Sequence, residues 1–316
     1  MKKLLTFLLF ILTFYSCSSQ KELSLIKLTT SKNYVQLEQE ILKLANTYSG
    51  RIGLYAKNLR TNEEIKINSD TLFPTASVIK LPILITLFDK SKNNEIDVYK
   101  EIIIPSKEKV GGAGVIQYFN GDTKLKLIDA ATLMIILSDN TATNAVIDQF
   151  AKDHDDKLNT INSTMEKLGL KNTKLLNKVF SYSTKKNTPE AKRFGLGYST
   201  PFEMGKLLEM IYNHQIIDSF YSEWIINILK NQQDDTMIRR FLPYDQLKEN
   251  ETIIVANKTG AVDRARIDVG IVYSPKCDFV IAIFADESND TSWTHDNKAQ
   301  NAVAKAARLI YDYFNQ

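Results

Sequence analysis

The chain has 316 residues, of which 44% are hydrophobic and 24% charged, as is typical of a globular protein with a sizeable core. A formal net charge of +3 excludes a strongly basic surface of the kind that binds nucleic acid. Two cysteines and three histidines exclude a disulfide scaffold, and nothing calls for a metal ion or an organic cofactor.

The first residues have the composition of a secretory signal. Lys2 and Lys3 precede an apolar run of 11 residues, Leu4–Phe14, which is too short to cross a bilayer as a mature helix. We therefore predict that residues 1–16 are a signal peptide and that the mature protein is exported to the periplasm or cell envelope.

Cys17 follows this run between two serines, an arrangement that resembles the lipobox of bacterial lipoproteins, with Tyr15 as an imperfect match. The resemblance implies a membrane anchor through a lipid on Cys17 and a polar tether over residues 17–33. The alternative is a free cysteine inside a discarded signal peptide. Because Cys277 is the other cysteine, no intramolecular disulfide is expected in either case.

A helix and a hairpin are predicted after the tether. Hydrophobic residues repeat at helical spacing over Tyr34–Thr47, and Gly50 follows this helix. The segments Arg51–Asn58 and Glu64–Asn68 alternate between apolar and polar residues on either side of a polar turn, which predicts a β-hairpin.

A strongly apolar helix comes next and opens with a serine and a lysine three residues apart. Because three residues are close to one helical turn, Ser77 and Lys80 leave the same face and can meet. If the helix begins near Thr75 or Ala76, its positive end and its apolar neighbours both disfavour a protonated ammonium. We predict Ser77 as a nucleophile and Lys80 as its base, with Pro82 in the second helical turn.

The centre of the chain reads as mostly helical. Leu125–Leu137 predicts a buried helix that ends at Ser138-Asp139-Asn140, and Thr141–Phe150 predicts another helix. Pro201 is predicted to be the first residue of a further helix. The glycine-rich segment Val110–Val115 lacks the lysine of a phosphate-binding loop, which favours a flexible turn near a cleft.

The last third of the chain predicts three consecutive antiparallel strands, Thr252–Lys258, Ala265–Tyr273 and Cys277–Ala285, and a closing helix over Asn297–Phe314. Strands at both chain ends with helices between them indicate one antiparallel sheet assembled from the two ends and a helical insertion. The predicted fold class is α/β (α+β). Its single domain, 34–316, has an α/β part over about 34–75 and 215–316 and an all-α part over about 76–214.

Two triplets distinguish Ser77 from the other Ser-x-x-Lys pairs of the chain. Ser138-Asp139-Asn140 follows a buried helix, and Lys258-Thr259-Gly260 is predicted to end a strand. Each triplet occurs once, whereas chance predicts on the order of a few hundredths per chain. Taken alone, the first triplet could be a helix cap and the second a plain strand exit. Together with Ser77 they resemble the penicillin-recognising serine hydrolases, and class A β-lactamases most closely.

The resemblance covers nearly all of the chain from Tyr34 and implies a β-lactamase/transpeptidase-like fold. It also implies roles for individual residues. Ser77, Lys80 and Ser138 would be catalytic, and the backbone N–H groups of Ser77 and Ala261 would form the oxyanion hole. The residues that would bind substrate are Asn140, Lys258, Thr259, Gly260 and Arg266, with Arg264 as a nearby rival for Arg266.

The chain departs from class A enzymes at one functional position. These enzymes deacylate with a glutamate in a Glu-x-x-Leu-Asn signature, and the stretch Lys171–Tyr198 contains no such pattern. Its one carboxylate, Glu190, is too close to Pro201 and lacks the Leu-Asn. The acyl-enzyme could therefore persist, or Glu190 or Lys80 could activate water in a rearranged loop.

The sequence therefore predicts an exported, monomeric serine hydrolase of class A β-lactamase type. Its Ser77 would be acylated by β-lactams, and the amide bond of the lactam ring would be hydrolysed. One alternative is a D,D-peptidase or esterase-like penicillin-binding lipoprotein that acts on an acyl-peptide and deacylates slowly. A second alternative is a non-catalytic envelope lipoprotein that senses a ligand.

Overall fold

A five-stranded antiparallel sheet joins the two ends of the folded part of the chain. The computed structural model describes residues 33–316, so the predicted signal peptide, Cys17 and nearly all of the tether lie outside the described residues. The strand order is β2-β1-β10-β9-β8, which confirms the prediction that strands from both chain ends share one sheet. The strands are β1 (Arg51–Asn58), β2 (Glu64–Ile67), β8 (Ile254–Val262), β9 (Ala265–Tyr273) and β10 (Phe279–Asp286).

Helices and two small sheets account for most of the remaining elements. The helices are α1 (33–46), α2 (Lys80–Lys92), α3 (Leu127–Ile136), α4 (Asn140–Ile147), α5 (His154–Lys167), α6 (Pro189–Phe194), α7 (Pro201–Tyr212), α8 (Ser219–Lys230) and α9 (Lys298–Phe314). The short strands β3 (Phe73–Pro74), β6 (Lys174–Leu175) and β7 (Gly197–Ser199) form one small sheet. The strands β4 (Glu101–Ile104) and β5 (Thr123–Lys126) form another.

Both faces of the large sheet are covered by helices, which explains why every residue of β10 is buried. Successive side chains point to opposite faces of a strand. Tyr55 on β1 faces α7, where a side chain at Gly205 would collide with its ring. On the other face the ring of Phe279 lies 5.5 Å from that of Phe314 on α9. The absence of a side chain at Gly205 thus lets α7 lie close against the sheet.

α7 packs against the large sheet, although the predicted all-α part, about 76–214, includes it. It contacts β1, β9 and β10. The physical reason is its apolar face, in which Met204, Leu207 and Leu208 are fully buried. The division of the domain into two parts stays a prediction.

The segment that carries Ser77 is not α-helical from its first residue. A short 3-10 helix, Ala76–Ile79, comes first, and α2 begins at Lys80. Pro82 is consequently the third residue of α2, in its first turn, where the missing N–H would have no partner within the helix. The prediction that Pro82 lies in a second turn is wrong, and this proline introduces no strain.

The Lys258-Thr259-Gly260 triplet lies inside β8 rather than at its end. β8 continues to Val262, and Lys258 and Gly260 pair with Val269 and Ile267 of β9. The apolar run Ile253–Ala256 ends just before Asn257 and Lys258, so the sequence pattern stops before the backbone pairing does. The triplet is therefore held in a regular ladder of hydrogen bonds.

Within residues 33–316, none of the helices combines the length and the apolar composition needed to cross a bilayer. The same residues contain no group of three or more histidine, cysteine, aspartate or glutamate side chains placed to hold a metal ion.

Candidate active site

Six of the predicted site residues line a cavity of about 800 Å³ between the 3-10 helix, the start of α4 and β8. Ser77 lies half-buried in its wall, on the 3-10 helix. The preceding residue, Ala76, has a φ of 44°, in the left-handed region that residues with a side chain rarely adopt. Strain of this kind costs about 1–3 kcal/mol per residue and persists where the surrounding structure fixes it. The cavity includes the predicted residues Ser77, Ser138, Asn140, Thr259, Gly260 and Ala261.

Lys80 is fully buried beneath the cavity floor and makes three short contacts. Its Nζ donates to the backbone oxygen of Ser138 (2.6 Å) and to Oδ1 of Asn140 (2.9 Å), and it lies 3.1 Å from Oγ of Ser138. A neutral amine has two N–H donors and one lone pair, which match two carbonyl acceptors and one hydroxyl. Among the hydrogen bonds of the described residues, none joins Lys80 to Ser77. The lysine thus contacts the Ser138 triplet rather than the nucleophile directly.

The environment of Lys80 favours the neutral amine. Burial lowers the pKa of Lys80 well below its ordinary value, and the positive charge of Lys258 lowers it further. The Asp139 carboxylate acts in the opposite direction. Desolvation is the largest of these causes, so the apolar packing predicted around this helix is the main reason that the pKa of Lys80 is lowered.

Ser138 joins the two lysines of the site. Lys258 Nζ donates to Ser138 Oγ at 3.1 Å and to the backbone oxygen of Thr259 at 2.7 Å. Burial lowers the pKa of Lys258 to about 8, while the carboxylates of Asp234 and Asp268 act to raise it. The φ of Ser138 is 55°, so its backbone is also left-handed. The hydroxyl can therefore accept from a protonated Lys258 and donate to a neutral Lys80, which is a path for a proton.

Asp139 is structural, whereas its neighbours in the triplet face the cavity. Its Oδ1 accepts from the N–H of Ala142 and caps α4, and its Oδ2 accepts from the N–H groups of Val115 (2.7 Å) and Ile116 (2.9 Å). The glycine-rich loop is thereby tied to the start of α4. Asp139 is thus a helix cap, whereas Ser138 and Asn140 line the cavity.

Asn140 connects Lys80 to the glycine-rich loop. Its Oδ1 accepts from Lys80, and its Nδ2 donates to the backbone oxygen of Gly111 at 2.9 Å. Gly112, with a φ of 84°, lines the cavity beside it. The loop predicted as a turn near a cleft is therefore part of the cavity wall, where one N–H of Asn140 is still available to a ligand.

Gly260 allows β8 to approach the 3-10 helix. A Cβ at this position would lie 2.8 Å from the backbone oxygen of Thr75 and 3.1 Å from the backbone nitrogen of Ser77. The neighbouring Ala261 lies in the cavity wall. Two backbone N–H groups, those of Ser77 and Ala261, thus belong to segments in close contact, as an oxyanion hole requires.

Arg266 is not among the described residues that line the cavity. Its side chain is 1% exposed, and its guanidinium donates to the backbone oxygens of Val262 (2.5 Å), Ala265 (2.9 Å) and Ser292 (2.6 Å). The ring of Trp293 covers it at 4.8 Å. Because three of its N–H groups donate to these carbonyls, Arg266 holds the β8–β9 turn. Its rival Arg264 is likewise bonded to backbone oxygens, those of Ser288 and Glu287.

Glu190 is also separated from the site. It lies exposed in the first turn of α6 and is not part of the cavity wall. Among the described residues that line the cavity, the carboxylates are Asp234 and Asp263, and none is a glutamate. The possible role of Glu190 in activating water therefore stays a prediction that its exposed position outside the cavity wall does not support.

Several cavity residues had no signal in the sequence. Phe180 and Tyr182, both exposed, and Trp293 form an aromatic rim, and the cavity wall also includes Asp234, whose charge acts to raise the pKa of Lys258. These residues come from loops whose course depends on tertiary packing, so no spacing or periodicity could have indicated them. The positive φ of Phe180 (50°) could not be foreseen either, because side chains such as this one rarely adopt it.

A serine on a strained 3-10 turn, a buried lysine, a second serine between two lysines and a close-packed strand define the class of penicillin-recognising serine hydrolases. A family comparison leads to the same class. The model of the beta-lactamase enzyme family matches residues 36–314, and the chain belongs to this family.

Similar proteins include both β-lactamases and a protein named PBP-A. Beta-lactamase 1 of Bacillus cereus is 24% identical over 289 residues, which cover 89% of this chain and 82% of that protein. The solved β-lactamase of Sphaerobacter thermophilus has a TM-score of 0.75 at 23% identity, covering 88% of this chain and 97% of that one. The L158E mutant of PBP-A, an acyl-enzyme complex with penicillin-G, has a TM-score of 0.73 at 23% identity, covering 89% and 97%. These structures confirm the β-lactamase/transpeptidase-like fold.

Proposed function

We propose that the protein is a serine hydrolase of class A β-lactamase type whose Ser77 is acylated by β-lactams. The observation that carries this proposal is the contact chain from Lys258 through Ser138 to the buried Lys80, next to a cavity that exposes Ser77. The substrate class comes from the family and its relatives, and the residues supply the chemistry.

In the proposed reaction the neutral Lys80 removes the proton from Ser77 Oγ, which attacks the lactam carbonyl carbon. The contact between these two side chains would tighten on substrate binding, as catalytic hydrogen bonds often do. The N–H groups of Ser77 and Ala261 stabilise the negative oxygen. The carbon–nitrogen bond then breaks, and the nitrogen receives a proton from Ser138, which regains one from Lys80. Water finally hydrolyses the acyl ester and restores Ser77.

Slow release of the acyl group is a second candidate property, and one observation favours it. Release needs an activated water, and the described cavity wall contains no glutamate. The protein would then behave as a penicillin-binding D,D-peptidase or an esterase with a persistent acyl-enzyme. Acylation itself needs only the nucleophile, the base and the oxyanion hole.

Intact-mass spectrometry over time after mixing with benzylpenicillin tests both steps. We expect the mass to rise by that of one penicillin molecule and to return to its first value over many minutes, since no glutamate lines the cavity. The Ser77→Ala variant should show no adduct, and the Ser181→Ala variant, which removes another cavity hydroxyl, should behave as the native protein does. If the native protein stays unmodified, a non-catalytic ligand-sensing function is favoured instead.

Export with a lipid anchor on Cys17 is also a proposal, supported by the residues around this cysteine. We expect radioactive palmitate to label the native protein in cells and to leave the Cys17→Ser variant unlabelled. The Cys277→Ser variant is the matched control, because Cys277 is buried and should not affect labelling. Equal labelling of the native protein and the Cys17→Ser variant would contradict the anchor.

A further inference from the structure

The end of the cavity next to β8 contains more negative charge than a site for a substrate carboxylate should. Asp234 and Asp263 line the cavity there, together with Thr259 and Ala261. Lys258 is the cation that β8 supplies to this end. A carboxylate that approaches Lys258 therefore also approaches two groups of its own charge.

Asp234 is held in place by its own turn. Its Oδ1 accepts from the backbone N–H of Thr236 at 3.0 Å and from the hydroxyl of Thr236 at 2.6 Å. Its backbone N–H donates to Oε1 of Gln232 at 3.1 Å. These bonds fix the carboxylate at the cavity wall.

The charge of Asp234 acts on the buried ions behind the wall. It raises the pKa of Lys258, and it acts in the same direction on Asp268, whose pKa burial raises to about 7. Asp268 is bonded to Asn257 and to the N–H of Ile238, away from the cavity. Asp234 is thus the acid that both lines the cavity and lies close enough to Lys258 to compensate its charge.

Among the described residues that line the cavity, the cations are Lys178 and Lys185, which belong to the segment that carries Phe180 and Tyr182 and not to β8 or its turn. Arg266, the residue expected to bind a carboxylate, donates to backbone oxygens and lies under Trp293. The positive charge of Lys258 alone would balance the negative charge of one substrate carboxylate. With Asp234 beside it, the net charge of the pair is already zero. Binding a carboxylate would then require the burial of an uncompensated charge.

We propose that Asp234 is a specificity-determining residue that makes the β8 end of the cavity a subsite for an uncharged group. This inference rests on the proposed function. Substrates that carry an ester or a primary amide beside the scissile amide nitrogen are acylated at least as fast as those with a free carboxylate. Lys258 then keeps its hydrogen bond to Ser138 and serves proton transfer instead of binding an anion.

The test compares benzylpenicillin with its methyl ester, using the rate of Ser77 acylation measured by intact mass. In the native protein the ratio of the free-acid rate to the ester rate is expected to be at or below one. In Asp234→Asn this ratio should rise about fivefold, the effect of one charge at several ångströms near a protein surface. Asparagine keeps the Oδ1 acceptor for Thr236, so the turn should be retained, which thermal unfolding verifies.

Asp235→Asn is the matched control, since this exposed neighbour loses the same charge and does not line the described cavity. Its ratio should equal that of the native protein. In 1 M salt the increase caused by Asp234→Asn should shrink, because a Debye length of about 3 Å screens exposed charges. An unchanged ratio in Asp234→Asn would overturn the inference while leaving acylation intact. Failure of both probes to acylate the native protein would instead refute the proposed function.

Discussion

Replacing Lys80 with methionine is expected to lower the rate of Ser77 acylation about 10³-fold, a typical contribution of a general base. Methionine has a similar length and no charge, so it removes the amine without opening a cavity. Stopped-flow mixing with a chromogenic cephalosporin measures the rate, and thermal unfolding verifies the fold. Because burying a lysine is costly, the melting temperature of Lys80→Met should equal or exceed the native value.

Lys80→Arg separates a base from a mere positive charge. Arginine keeps the charge at every accessible pH and cannot lose its proton, so the loss should be as large as with methionine. In the native protein the rate should rise with pH as Lys80 deprotonates through its lowered pKa. It should fall again above about pH 8, where Lys258 loses its proton. An arginine variant with near-native activity would refute the base role of Lys80.

Gly260→Ala is expected to lower the acylation rate about 10²- to 10³-fold, the effect of losing one oxyanion donor. The added Cβ would lie 3.1 Å from the backbone nitrogens of both Ser77 and Val78, and closer still to the oxygen of Thr75. These are backbone atoms, which cannot rotate away as a side chain would. The strand and the 3-10 helix must therefore separate, and the N–H groups of Ser77 and Ala261 can then no longer both donate to the same substrate oxygen.

Gly111→Ala is the control for this prediction. Gly111 is in the loop beside the cavity, and the nearest atom to an added Cβ, Oε1 of Gln117, is 3.6 Å away. Its rate should stay within about twofold of the native rate, because no backbone has to move. Comparable losses in the two variants would show that any glycine substitution near the cavity disturbs it, and the specific role of Gly260 would be lost.

The fold and the catalytic cluster could be predicted from the sequence because both depend on local pattern. The strands of both chain ends alternate or form buried runs, and their pairing follows from the helical insertion between them. The two triplets could be recognised because each keeps its members adjacent in the chain. The contact of Ser138 with Lys80 and Lys258 joins three segments that the sequence had already singled out.

The rest of the site could not be predicted, since it depends on where side chains end in three dimensions. Arg266 lies on β9, and its guanidinium donates to three nearby backbone carbonyls, which no sequence pattern could indicate. Glu190 was the one carboxylate in its stretch, yet it lies exposed on α6. Asp234 has no signal in the sequence, because the turn that brings it to the cavity wall has no motif.

The single carboxylate of Asp139 binds both a helix end and a loop, and this has a mechanical consequence. If the loop around Val115 and Ile116 moved outward, the backbone N–H groups of these two residues would lose their acceptor, Oδ2 of Asp139. The bond from the N–H of Ala142 to Oδ1, in the first turn of α4, would not be broken directly. The loop and the helix end are therefore one cooperative unit, and this wall of the cavity is stiff. Adjustment to ligands of different shape falls instead to the exposed side chains of Phe180 and Tyr182, which extend into solvent at the edge of this wall, where Phe180 lies beside Gly112.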